Sequence, residues 1–275
     1  MASVIATARP DAQIWSDKAL KLSAGGWFLT AVFGQWFFAY YIVAYYGGSA
    51  VQGDWQAWTD RMIHGIVAGD PIGNIAVFIH ILLAFVITFC GPLQLVPQIR
   101  SRFPTFHHLN GRIYIVTAFI ISFGAIYMQW SRENLIGGIW GQIGTSLDGL
   151  LIIIFAYFAI RRAMQRRLAE HRKWALRLFI VVSGVWFFRV GRGLWHILTD
   201  GQSYGVNATL TGPFDIILGF AGYLLPLLIL ELYLRARDSG KVAGRWMMAI
   251  LLSLSIVATA VGVYGAAYMM WIPVI

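Results

Sequence analysis

Residues 73–97 read GNIAVFIHILLAFVITFCGPLQLVP, a run without one Asp, Glu, Lys or Arg. A helix needs roughly 20 predominantly apolar residues to cross the hydrocarbon core of a bilayer, and this stretch exceeds that length. Six further stretches, at 26–46, 111–130, 137–160, 178–199, 213–234 and 246–271, are likewise dominated by Ile, Leu, Val, Phe, Ala and Gly. The pattern predicts an all-α polytopic bundle of about seven transmembrane spans. It forms a single membrane domain over 26–275, behind an N-terminal cytoplasmic or interfacial segment, 1–25.

Composition agrees. The 275 residues are 59% hydrophobic, 15% aromatic and only 12% charged, with a mean hydropathy of +0.67, whereas soluble domains carry about 25% charged residues. The formal charge of +9 does not mark a nucleic-acid binder, because the basic residues lie in short segments between apolar runs, which is a topology signal. The lone Cys90 sits inside an apolar run, so neither an internal disulfide nor a thiolate cluster is expected. The first 24 residues are mixed and polar with no small-residue cleavage site after the first apolar run, so no signal peptide is expected. Within them Ile14, Trp15, Lys18, Ala19 and Leu22 recur at helical spacing. A short helix on the membrane surface and an ordinary ordered tail fit this equally.

Charge sets the orientation. One face collects Arg9, Lys18 and Lys21, then Arg100, Arg102 and Arg112, then the seven basic residues from Arg161 to Arg177, then Arg235, Arg237, Lys241 and Arg245; the other holds only Arg61 and Arg132. By the positive-inside rule the rich face is cytoplasmic, which puts the N-terminus inside and the C-terminus outside. In the long first outer loop Trp55, Trp58, Met62 and Ile66 mark an interfacial helix after Asp54, capping the outer end.

The informative residues are the polar ones within spans. Arg189, Arg192 and His196 share one helix face by spacing, and a charge inside the bilayer must look into the bundle. Asp148 and Arg189 each lie about 16 Å from the outer ends of their helices at 1.5 Å per residue, so they are expected to pair, with Gln35 completing a polar layer at that depth. Asp215 is the alternative partner for the second arginine; without it, two arginines against one aspartate leave a positive excess for an anion to neutralise. His80 falls nearer the level of His196. His107, His108 and His171 gather at the cytoplasmic edge, where His171, Arg172, Lys173 and Arg177 read as a basic collar at the lipid headgroups. His171 and His196, about 37 Å apart along a continuous helix, cannot both lie in one span. Pro92 and Pro97 are expected to kink or end the second span and Pro226 to bend the sixth. No HExxH, paired cysteine or phosphate loop is present.

The run Gly91, Pro92, Leu93, Gln94, Leu95, leading through Arg100 to His107, His108, Leu109, Asn110, Gly111, Arg112, Ile113 and Tyr114, resembles the bacterial membrane family called domain-of-unknown-function family 2306. So does His171-Arg172-Lys173-Trp174-Ala175-Leu176-Arg177. Family members show an apolar helix with an early His, a Gly-Pro-Leu-Gln turn, a His-Arg-x-x-Gly-Arg-x-Tyr opening of the next helix and a His-Arg-x-Trp-Met-x-Arg opening of a later one. Here His108 stands one place after the expected His or replaces the Arg, and Ala175 replaces Met. The similarity covers roughly 75–200 and implies a bacterial multi-span protein, expected in the inner membrane, with no function attached.

Three functional readings follow, and whether any is enzymatic stays open. The first is a haem-binding or redox-linked protein, with His80 and His196 as axial ligands of a b-type haem and Arg189 and Arg192 facing its propionates. The second is a transporter of a small anion or of protons, using Asp148, Arg189, Arg192 and Gln35 with Pro226 as a gate. The third is an accessory subunit. The lipid bilayer, acidic headgroups and a membrane-complex partner or a second copy are the expected partners; nucleic acid is not.

Overall fold

A computed structural model describes residues 11–62, 65–131 and 137–275. Arg9, His64 and Arg132 lie outside the described residues, as does the Arg61 side chain. The described residues form helices α1 (Asp11–Tyr41), α2 (Gly48–Gln52), α3 (Gln56–Arg61), α4 (Pro71–Leu95), α5 (Pro97–Arg102), α6 (Pro104–Ser131), α7 (Gly138–Met164), α8 (Leu168–Val182), α9 (Gly184–Leu198), α10 (Pro213–Ser239) and α11 (Val242–Ala266). No strand occurs among them. Six helical runs are long and apolar enough to cross a membrane, and α8 with α9 makes a seventh crossing if the bent pair is one span. The protein is a multi-span membrane protein in contact with lipid.

The expected surface helix at 14–22 is not separate, because α1 runs from Asp11 through it into the first span without a break. A π-helical turn at Ile42–Gly47 carries the chain on into α2, so 11–52 form one run of 42 residues. The second span opens on a capping pattern. The Asp70 carboxylate accepts the Gly73 N–H at 2.9 Å, and Pro71 occupies the first turn, where its missing N–H costs nothing. Pro92 does not end this helix, which continues to Leu95, and α10 likewise continues past Pro226 to Ser239.

In place of a surface-lying helix at 55–66 the structure has the short α3, and Trp58 is 3% exposed. Its indole donates to Ser49 Oγ at 3.0 Å, stacks on Phe78 and meets the Tyr46 ring edge-on. A tryptophan at this position fastens the loop to α2, α4 and the π-turn, whereas the pattern alone suggested an anchor in the headgroups.

The bundle closes around α11, which packs on both α1 and α9. Small residues allow this, since apolar helices gain little by leaving lipid and associate through close van der Waals contact. A Cβ added at Gly193 of α9 would strike the Ala266 nitrogen and the Gly262 carbonyl oxygen, and one at Gly265 would strike the Gly193 backbone. Ala31 and Ala266 are fully buried at this seam, and Trp186 rests where a Cβ on Gly34 would be. We expect Gly193→Val to destabilise the fold by about 1–3 kcal/mol through overpacking, measured as a lowered unfolding temperature in detergent; an unchanged temperature contradicts the contact.

Candidate functional site

The fifth span, expected as one helix over 178–199, is broken. α8 and α9 meet at 53° across Ser183. The Ser183 hydroxyl donates back to the Phe179 carbonyl at 2.8 Å, a bond that competes with the helical ladder. Gly184 then opens α9 with no side chain capping it.

Three helices converge on the break. From α1, Gln35, 2% exposed, donates from Nε2 to Ser183 Oγ at 2.9 Å, while its Oε1 is enclosed without a partner. From α7, Asp148 lies so close to Gly184 that an added Cβ there would sit 3.0 Å from Asp148 Oδ2. Its other oxygen, Oδ1, is enclosed and makes no hydrogen bond. From α10, Gly222 packs against the Gly184 carbonyl, and the buried Tyr223 donates its hydroxyl to Gly144 O at 3.2 Å, tying α10 to α7. A carboxyl group, an amide and a hydroxyl thus meet at the start of a half-helix, where exposed backbone N–H groups favour negative charge.

The expected pair of Asp148 and Arg189 does not form: no ion pair within 4 Å joins them among the described residues. The reason is azimuth. Arg189 is five residues beyond Gly184, about 140° around α9 at 3.6 residues per turn, so it faces α1 while Gly184 faces α7 and α10. Its guanidinium lies 5.0 Å over the Phe38 ring, and Nη1 donates to the Val185 carbonyl at 3.2 Å. Arg192 does find an acid, the alternative named by the sequence: its Nε is 3.5 Å from Asp215 Oδ1, and the wholly buried Asp215 accepts the Asn207 N–H at 2.9 Å through Oδ2.

The two histidines expected as haem ligands meet different surroundings. His196 turns its Nδ1 to Ser203 Oγ at 3.0 Å, with its ring edge against Gly201 in the loop after α9. His80 is within electrostatic reach of Arg189, and its Nδ1 is enclosed without a partner. The two imidazoles are held by separate contacts, His196 by the loop after α9 and His80 on α4. Among the described residues no group of three His, Cys, Asp or Glu side chains could hold a metal ion.

At the basic end most of the expected collar is engaged within the protein. Arg177 makes a forked pair with Glu231, Nε to Oε1 at 2.6 Å and Nη2 to Oε2 at 2.9 Å, and stacks on Trp174. Lys173 pairs with Asp238 at 2.7 Å, and His171 Nδ1 lies 2.9 Å from the Ala159 carbonyl. Arg172 alone of the four is exposed.

The residues that carried the family resemblance also lie against one another. Asn110 donates to the Cys90 carbonyl at 3.1 Å, Gln94 donates to the His107 carbonyl at 3.3 Å, and Gly91 leaves room for the Tyr114 ring. They clamp the end of α4 to the start of α6. Residues 77–212 match the family model described as a predicted membrane protein, DUF2306. That segment belongs to the DUF2306 family. No curated protein and no solved structure matches the chain. The DUF2306 segment includes His80, Asp148, the helix break and Arg192, but not Gln35, Asp215 or Tyr223, which reach the site from outside it.

Ser183, Gly184 and Tyr223 were missed in the sequence reading, although a Ser-Gly pair inside a span is a recognised signal for a kink. Glu231 was missed too, although an acid within an apolar stretch is itself a signal. We expect Ser183→Ala to cost about 1–3 kcal/mol, because it leaves a buried amide donor of Gln35 unsatisfied, and the added change Gln35→Leu to recover part of that loss. Thermal unfolding of both variants measures this; equal losses that simply add would contradict the bond.

Proposed function

We propose that the protein is a transporter that carries protons through the break in its fifth span, with Asp148 as the group that takes up and releases the proton. One observation carries this reading: the enclosed, unpartnered Oδ1 of Asp148 lies in a carboxyl group set against the first residue of a half-helix. An isolated ionised carboxylate in an apolar interior is very costly and the neutral acid much less so, while the start of α9 offers the anion a favourable dipole. The two influences oppose each other, which suits a group that must exist in both states. Broken helices with acids at their ends are a recurrent design of transporter sites, and Gln35 and Ser183 supply the polar neighbours through which a proton can pass.

The remaining assignments belong to the same proposal. The face rich in Lys and Arg lies in the cytoplasm of a bacterial cell, with the first helix entering from that side, and Arg172 is the collar residue free to meet an acidic lipid headgroup. A second reading, a b-type haem held by His80 and His196, rests on the unpartnered Nδ1 of His80 and on the Nδ1 contact of His196 with Ser203, which leaves its Nε2 for the iron.

In proteoliposomes carrying a potassium diffusion potential, the wild type is expected to acidify the lumen and Asp148→Asn to abolish that flux at unchanged folded yield. A wild type no faster than the variant overturns the transport reading. The haem reading is tested by a reduced-minus-oxidised absorption spectrum of protein from haem-replete cells, where a colourless preparation removes it.

A further inference from the structure

Arg189 poses a problem that the proton site does not solve. The carboxylates of the spans are placed elsewhere: Asp148 against Gly184, Asp215 with Arg192, Glu231 with Arg177, Asp238 with Lys173. Among the described residues none lies within ion-pair distance of the Arg189 guanidinium, whose only hydrogen bond is to a carbonyl of its own helix. A guanidinium stays protonated in proteins, and an uncompensated charge within a bilayer is among the costliest arrangements a membrane protein can hold.

The groups around Arg189 are aromatic and neutral, and the Tyr41 and Tyr46 hydroxyls bond to each other. Beneath the guanidinium lies Phe38, on which Tyr41 stacks with centroids 6.0 Å apart and against which Trp271 lies tilted at 5.3 Å. Tyr46 meets Tyr41 edge-on, and both phenols are within electrostatic reach of Arg189, as is His80. Trp271 is 0% exposed, and its indole N–H, which can only donate, has no acceptor. His80 Nδ1 is enclosed and unpartnered. Buried donors are almost always satisfied, and a cation that shares the Phe38 ring with an idle indole donor calls for one acceptor that carries negative charge.

We infer that the box formed by Arg189, Trp271, His80, Tyr41 and Tyr46 on the Phe38 face binds a small inorganic monoanion of the size of chloride. One negative charge matches the one uncompensated guanidinium. The site lies on the opposite face of α9 from the helix break and is distinct from the proton site.

The test uses the full-length protein in detergent with gluconate as the only other anion. Chloride is titrated while the unfolding temperature and the width of the chloride-35 resonance are followed. The wild type is expected to show a saturable rise in unfolding temperature and a broadened resonance. Arg189→Gln should lose both, and Arg235→Gln, at an exposed position, should keep both. Trp271→Phe retains the ring and removes the N–H, and should weaken chloride binding roughly tenfold, which keeps the test decisive if Arg189→Gln does not fold. Equal broadening in the wild type, Arg189→Gln and Trp271→Phe overturns the inference, as does a wild type that responds to none of chloride, bromide and nitrate. Asp148→Asn should leave the chloride response intact, so failure here and failure of the proton reading are told apart.

Discussion

A bilayer offers no water to a backbone that leaves its helix, so any break within a span must be closed by the protein itself. This constraint governs the break between α8 and α9. The hydroxyl of Ser183 and the amide of Gln35 meet there, Gly222 of α10 packs on the Gly184 carbonyl, and Tyr223 ties α10 to Gly144 of α7. Helices α1, α7, α8, α9 and α10 are thereby committed to one another around a single residue, and Asp148 is held in that same knot.

The seam of α9 against α11 is the complement of this knot. Gly193, Gly262 and Gly265 bring two backbones into direct contact, which only glycine permits at that distance. A rigid seam on one side of α9 and a polar break at its start leave α9 poised between two kinds of contact. Its opposite faces then serve two chemistries, a carboxyl group toward α7 and a guanidinium toward α1.

The family motifs play another part. Gly91, Gln94, Asn110 and Tyr114 lock the second and third spans at the basic end, and the Trp174–Arg177–Glu231 contacts hold α8 to α10 nearby. These are helix-to-helix fastenings, and the residues there that titrate are mostly bonded to carbonyls or paired. Enclosed polar atoms without a partner occur there too, at His107 Nδ1 and Tyr114 Oη, as they do at Gln35 Oε1, Asp148 Oδ1, His80 Nδ1 and Trp271 Nε1.

Span number, helix class and membership of residues 77–212 in the DUF2306 family were legible in the sequence, because hydrocarbon thickness dictates the length of each apolar run and motifs are read directly. So was the set of polar residues worth following, since a charge within an apolar stretch stands out by composition. Depth along a helix set Gln35, Asp148 and Arg189 at one expected level, and in the structure Gln35 bonds Ser183 while Asp148 lies against the neighbouring Gly184. Only the tertiary structure decided which of those residues meet. Depth is a single coordinate; contact also depends on rotation about each helix axis and on the bend at Ser183, and these are set by how Gly193, Gly222 and Gly265 let neighbouring helices close. That is why Asp148 meets Gly184 instead of Arg189, and why Arg189 faces a box of aromatic donors.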